Sequence, residues 1–166
     1  MKNINKILVP TDFSDFSLVG MEYAISLAVL YDADVYLLNV VDHDPVLAFH
    51  TVDLNSETVL RDREKKAMAM LKDLIANKFR IMQNIVPVVR RGDPPKEIVR
   101  YAREEGADLI VMATHGRIGL AHVFLGSVAE KVVRRSPVPV FTVKPKIVAE
   151  ILLNDEDIRE QLHVRT

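Results

Sequence analysis

The chain has 166 residues, about half of them hydrophobic, with a formal net charge of −1 and no cysteine. That length fits one domain with a short remainder and supplies enough apolar side chains for a core. Basic residues come only in pairs such as Arg90-Arg91 and Arg134-Arg135, which gives no concentrated cationic face for nucleic acid, and the missing cysteines exclude disulfides, thiolate chemistry and cysteine zinc sites.

Met1 to Lys6 runs straight into a strand-like segment without the apolar region of a signal peptide. Ile7-Leu8-Val9 is then a short apolar run closed by Pro10, as expected of a parallel strand covered on both faces. After the turn Thr11-Asp12-Phe13-Ser14, a helix is predicted over about Asp15–Tyr31, with Ser14 as its N-cap. It contains the longest apolar stretch, Phe16 to Leu30, interrupted by Gly20, Glu22 and two serines. This is short of the ~20 residues of a membrane span, so a buried helix, no membrane partner and a cytoplasmic location are expected. Asp32-Ala33-Asp34 breaks the helix, and Val35 to Val41 reads as a second strand.

Asp42 to Asn55 has no period and reads as a long loop. Ser56 would cap a second helix reaching about Asn77, with Leu60, Ala67, Leu71 and Leu74 on one face. Ile85 to Val89 is a third strand, and Gly92-Asp93-Pro94 a helix start with Asp93 as cap and Pro94 at the first helical position. In that helix Ile98, Val99 and Ala102 are expected inside, and Lys96, Glu97, Arg100 and Arg103 outside. Leu109 to Ala113 is the fourth strand, and a glycine-containing loop follows. The next helix, opening at Gly126-Ser127, would bury Val128, Ala129, Val132 and Val133. Val138 to Val143 is a fifth strand, and Pro139 within it argues for a sheet edge. Strict β-α alternation implies a doubly wound, five-stranded parallel sheet of the Rossmann-like type, whose ligands sit beyond the carboxyl ends of the strands.

Two places could carry chemistry. Asp12, after the first strand, can accept hydrogen bonds from ribose hydroxyls or an adenine amino group, although Thr and Asp are also ordinary turn residues. After the fourth strand, Thr114-His115-Gly116-Arg117-Ile118-Gly119 and then Gly126-Ser127 combine a permissive loop with a helix start, a combination suited to phosphate. Neither a P-loop nor a dinucleotide fingerprint is present. His43, His50, Asp42, Asp44 and Asp53 match no metal-ligand spacing and read as a polar loop.

Ile7 to Ser14, His115-Gly116-Arg117-Ile118-Gly119, Leu125 to Val132 and Ser136-Pro137-Val138-Pro139-Val140 together resemble the universal stress protein family. The resemblance runs from about Lys6 to Val143 and implies an adenine nucleotide α-hydrolase-like domain over 1–145, followed by an extension over 146–166. The family's nucleotide-binding pattern is Gly, two residues, Gly, nine residues, Gly, then Ser or Thr. Gly116, nine residues and Gly126-Ser127 match it, while Ala113 replaces the first glycine. Carried over, the resemblance implies that Pro10, Thr11 and Asp12 line the adenine and ribose end, that Val40 packs on the base, and that Met112 and Ala113 flank the ribose. It likewise implies that Gly116, Gly126, Ser127 and Val128 hold the phosphates, with Arg117 and His115 as added contacts.

The ligand so implied is ATP, with Mg²⁺ held mainly by its phosphates. The function is a regulatory, stress-response module with slow ATP hydrolysis at most, because no general base stands near the phosphates. The alternative is a dimeric interaction protein of the same fold without nucleotide. The family also implies a homodimer paired through Val138 to Val143. A phosphorelay receiver lacks support, because Asp12 stands alone and the third strand ends in Arg90-Arg91. A flavodoxin would need a glycine- and hydroxyl-rich loop after the first strand. The tail, with its apolar run Ile147 to Leu153 and a short helix capped by Asn154, would cover the sheet edge, grip a second subunit or remain partly ordered.

Overall fold

The computed structural model describes residues 3–42, 57–79, 84–114 and 126–144. Its elements are β1 (Lys6–Pro10), α1 (Asp15–Tyr31), β2 (Asp34–Val41), α2 (Glu57–Lys78), β3 (Ile85–Arg91), α3 (Pro94–Glu104), β4 (Leu109–Ala113), α4 (Ser127–Arg135) and β5 (Val140–Val143). All pairings are parallel, in the order β3-β2-β1-β4-β5. This is the expected α/β fold, with the strand order reversing between β1 and β4.

The two faces of the sheet carry separate cores. Met21, Ala24 and Ala28 of α1 and Leu71 of α2 pack on Ile7, Val9, Val35, Leu37 and Val111. Ile98 and Tyr101 of α3 and Ala129 and Val132 of α4 pack on Leu8, Leu38 and Ile110. Successive residues of β1, Ile7, Leu8 and Val9, thus go to alternate cores, which is why the central strand has no polar face.

Ser14 caps α1 as expected, its hydroxyl accepting from Ser17 N at 3.2 Å. The helix ends where Asp32 takes a left-handed conformation, φ 54°. At Gly20, α1 lies so close to β4 that an added Cβ would stand 3.0 Å from the backbone N of Ala113.

Several expectations are corrected. Helix α1 is not buried all round: it covers one face of the sheet, and Tyr23, Val29, Leu30 and Tyr31 are exposed. Val133 is exposed as well, because the nine-residue α4 turns only the Ala129 and Val132 side to the sheet. Glu97 is buried rather than outward, only 7% exposed, folded against Gly92 and paired to Arg100 at 2.8 Å. Asp93 occupies the N-cap position of α3 without a side-chain cap bond; its backbone carbonyl accepts from Lys96 N and Glu97 N. Strand β3 runs two residues further, to Arg91, and β5 begins at Val140, after Pro139. The Pro139 carbonyl still accepts from Ile110 N at 3.0 Å, and β5 is an edge strand as expected, although the proline lies just before it. The predicted loop beyond Asp42, the Ser56 cap and the C-terminal tail lie outside the described residues.

Candidate functional site

Strands β1 and β4 are paired in register at Ile7↔Leu109 and Leu8↔Ile110. No pairing follows at Val9 and Pro10, so a crevice opens between their carboxyl ends, at the switch point where an α/β sheet binds its ligands. A cavity of about 430 Å³ occupies it, within the range of small-molecule sites. It brings together all the site residues expected from the sequence that are described: Pro10, Thr11 and Asp12 from the end of β1, Val40 from β2, Met112 and Ala113 from β4, and Gly126, Ser127 and Val128 from the start of α4. His115, Gly116 and Arg117 lie outside the described residues, as do His43, His50, Asp44 and Asp53.

A buried polar network shapes the β1 end. The Thr11 hydroxyl lies 2.9 Å from that of Ser17 and accepts from Phe13 N at 3.1 Å. The Asn39 amide donates to the Thr11 carbonyl at 2.8 Å, tying β2 to the turn. Phe13 is thereby held at φ 64°, a left-handed conformation unusual for a bulky residue. Asp12 Oδ1 accepts from Ser14 N at 3.1 Å and from the Ser14 hydroxyl. These bonds fix the carboxylate as an acceptor at the mouth of the crevice. Asp42, at the end of β2, adds a second carboxylate to this end.

The α4 end is of opposite character. Gly126 is the N-cap of α4, and no side chain caps the helix. The Gly126 N–H donates to the Thr114 carbonyl, and Glu130 N donates back to the Gly126 carbonyl at 2.9 Å. The resemblance gives the Gly126 N–H to phosphate, but in this fold it closes the β4–α4 connection. The first-turn N–H groups of Ser127, Val128 and Ala129 have no carbonyl four residues back within the helix, and they carry the positive end of its dipole. With the exposed Ser127 hydroxyl they form a donor set for an anion.

Ala113 stands where the family pattern has glycine. By strand alternation it shares the side of Leu109 and Val111, the side α1 covers. Pro94, Ile98 and Ala129 close the cavity from the other face. The alanine methyl is therefore directed toward α1, and the substitution leaves the α3/α4 side of the cavity open.

Sequence reasoning missed Ser17, Asn39, Asp42, Pro94 and Ile98 as cavity residues, Asp42 having been read as part of a polar loop. Asn39 had a signal: it is the one amide in the apolar run from Val35 to Val41, and it sits near the strand's carboxyl end. Pro94 and Ile98 had none, because the approach of α3 to β4 is set by tertiary packing.

Beyond the cavity, Arg91 at the end of β3 holds α2 through both Glu64 oxygens, at 2.9 and 3.0 Å, and through Glu57 at 2.8 Å. The hydrogen bond from Arg91, followed by that from Arg61, keeps the Glu57 carboxyl below the usual carboxylate range. No helix among the described residues is long and apolar enough to cross a membrane. No described group of His, Asp and Glu has the arrangement of a metal site.

Comparison with known proteins gives a consistent picture. The sequence profile of the Universal stress protein family matches residues 3–144. The chain is 39% identical over 142 residues to Universal stress protein MJ0531 of Methanocaldococcus jannaschii, covering 84% of this chain and 81% of that one. Among solved structures, that of MJ0577, described as a hypothetical protein whose biochemical function was assigned from structure, superposes with a TM-score of 0.76 at 28% identity, over 87% of this chain and 98% of the other. A universal stress protein solved in complex with cAMP superposes with a TM-score of 0.65 at 27% identity, over 86% and 98% of the two chains.

Proposed function

This chain belongs to the universal stress protein family, and from that premise we propose that it is a regulatory module that binds ATP in the crevice between β1 and β4. The observation that carries the reading is the polarity of one cavity. Carboxylate acceptors, Asp12 and Asp42, stand at the β1/β2 end, and the donor-rich start of α4 stands at the other. A nucleotide has the matching polarity, with hydroxyl and amino donors on ribose and base and negative charge on the phosphates. The complex of a similar family member with cAMP supports an adenine nucleotide as the ligand class.

In this reading Asp12 accepts from a ribose hydroxyl, and Val40 and Met112 give the base an apolar wall. The Ser127 hydroxyl and the N–H groups of Ser127 and Val128 hold phosphate, with Gly116 and Arg117 completing that end. A Mg²⁺ ion bound through the phosphates would need few protein ligands. Asp12 is committed to Ser14 and stands at the nucleoside end, so it is badly placed to activate a water at the terminal phosphate. Binding with slow hydrolysis at most follows, together with a regulatory role in the cytoplasm. The family's homodimer is assigned to the open edge of β5. Ile110 N→Pro139 O and Thr114 N→Val143 O turn the odd residues of β5 toward β4, so the backbone groups of Val140 and Thr142 face outward for a second copy.

The test is to denature the purified protein, identify any released nucleotide by chromatography and mass spectrometry, and titrate emptied protein with ATP by calorimetry. Near-stoichiometric ATP or ADP, or saturable binding that Asp12→Ala and Ser127→Ala weaken, supports the reading. An empty protein that binds no added ATP sinks it and leaves a dimeric interaction protein of the same fold.

A further inference from the structure

Helix α1 carries an apolar stripe that the described residues cover only in part. Tyr23, Leu27 and Leu30 recur at the spacing of one helical face, Leu27 half-buried against the core and the other two exposed, and Tyr31 extends the row. Tyr23 is 49% exposed, Leu30 73% and Tyr31 45%. Single exposed leucines are ordinary, but exposed apolar side chains gathered on one helix flank are not. The row is also joined to the sheet edge: the Tyr23 ring lies 6.3 Å from that of Phe141 on β5, itself an exposed aromatic.

We propose that the C-terminal segment of the same chain, residues 145–166, packs along this stripe. The chain leaves β5 at Val143, two residues after Phe141, so the segment starts beside the stripe. Its first part, Ile147-Val148-Ala149-Glu150-Ile151-Leu152-Leu153, has six apolar residues and one charge, and it needs cover of its own. The lengths agree. Tyr23 to Leu30 spans about 10 Å of helix, and Ile147 to Leu153 spans about 10 Å if helical and at most about 23 Å if extended. Right-handed crossovers make α1 antiparallel to β5. A chain turning back after β5 therefore travels along α1 from Tyr23 toward Leu30. Covalent attachment favours this occupant over a second molecule, because a short linker holds the segment at an effective concentration in the millimolar range.

The absence of native cysteine makes a clean test. Leu30→Cys places a unique thiol on the stripe. Val29→Cys, at a position 69% exposed on the opposite flank, is the control. In the full chain, the thiol of Leu30→Cys should react with a maleimide about tenfold or more slowly than that of Val29→Cys, at a rate independent of protein concentration. Truncation after Lys146 should bring the two rates together. So should the double substitution Ile151→Asp, Leu152→Asp in the full-length chain, which keeps its length, with circular dichroism confirming the fold. Equal rates in the full chain, or protection that survives both changes, overturn the proposal. Protection that disappears on dilution also overturns it and assigns the stripe to a second copy.

Discussion

Replacing Gly20 by alanine should reverse the usual sign of that substitution in a helix. In an open helix the change stabilises by about 1 kcal/mol, because alanine loses less backbone freedom on folding. Here the new methyl would lie 3.0 Å from the backbone N of Ala113 and 3.4 Å from the carbonyl carbon of Met112. Both atoms belong to β4, which is hydrogen-bonded to β1 on one side and β5 on the other and cannot yield as a side-chain tip would. Helix α1 must therefore retreat by a few tenths of an ångström, loosening Met21, Ala24 and Ala28 against the sheet. Overpacking of this kind costs about 1–3 kcal/mol, which leaves a net loss of about 1 kcal/mol after the helix gain. For a domain of this size that is a fall of about 2–4 °C in Tm. Because the displaced contact is the backbone of Ala113, on the cavity wall, affinity for nucleotide should fall as well. Urea unfolding of both proteins, with calorimetric titration of ATP, makes the measurement. A stabilisation of about 1 kcal/mol with unchanged binding would refute the close approach of α1 to β4.

Three further outcomes are expected. Glu57 has a lowered folded pKa, so its contribution is complete above the ordinary value of 4.5 and is lost as pH falls through the folded value. Glu57→Gln should accordingly be less stable than the parent in urea at pH 7, with the gap closing in acid; a gap that persists there would exclude the Arg91 and Arg61 pairing as its cause. Tyr101 is pushed up to about 12 by burial first, with the Glu105 charge adding to it. Ultraviolet titration should therefore find a phenol that ionises near pH 12 and is lost in Tyr101→Phe. The fold holds this phenol protonated, so its contribution stands below pH 10 and declines as pH rises through about 12. Thr142→Pro removes an outward N–H on the edge of β5, which the sheet tolerates. It should convert the homodimer proposed through this edge to a monomer in light scattering with circular dichroism unchanged; a surviving dimer would move the interface elsewhere.

Much of this was legible without coordinates. The continuous apolar runs at Ile7 to Val9 and Leu109 to Ala113, alternating with capped helices, require strands covered on both faces, and that requirement alone yields a parallel sheet with helices above and below. The strand expected at an edge from Pro139 does lie at one, although the proline itself stands just before β5 and outside its ladder. Ser14 marked the start of α1, because a cap is a local bond between neighbours in the chain. Other features depend on approaches between distant segments, which no local pattern encodes. Glu97 reads as a surface residue of an amphipathic helix, yet it is buried because Gly92 leaves room for its side chain and Arg100 pairs with it. The apolar sequence of α1 suggested full burial, but a helix with the sheet on one side only leaves Tyr23 and Leu30 outside. Likewise the Gly126 N–H looked available to a ligand until the fold brought the Thr114 carbonyl to it. Sequence thus determined the elements, their order and the residues able to meet at the crevice. Tertiary structure decided which of their donors and faces remain open, because that depends on how closely segments far apart in the chain come together.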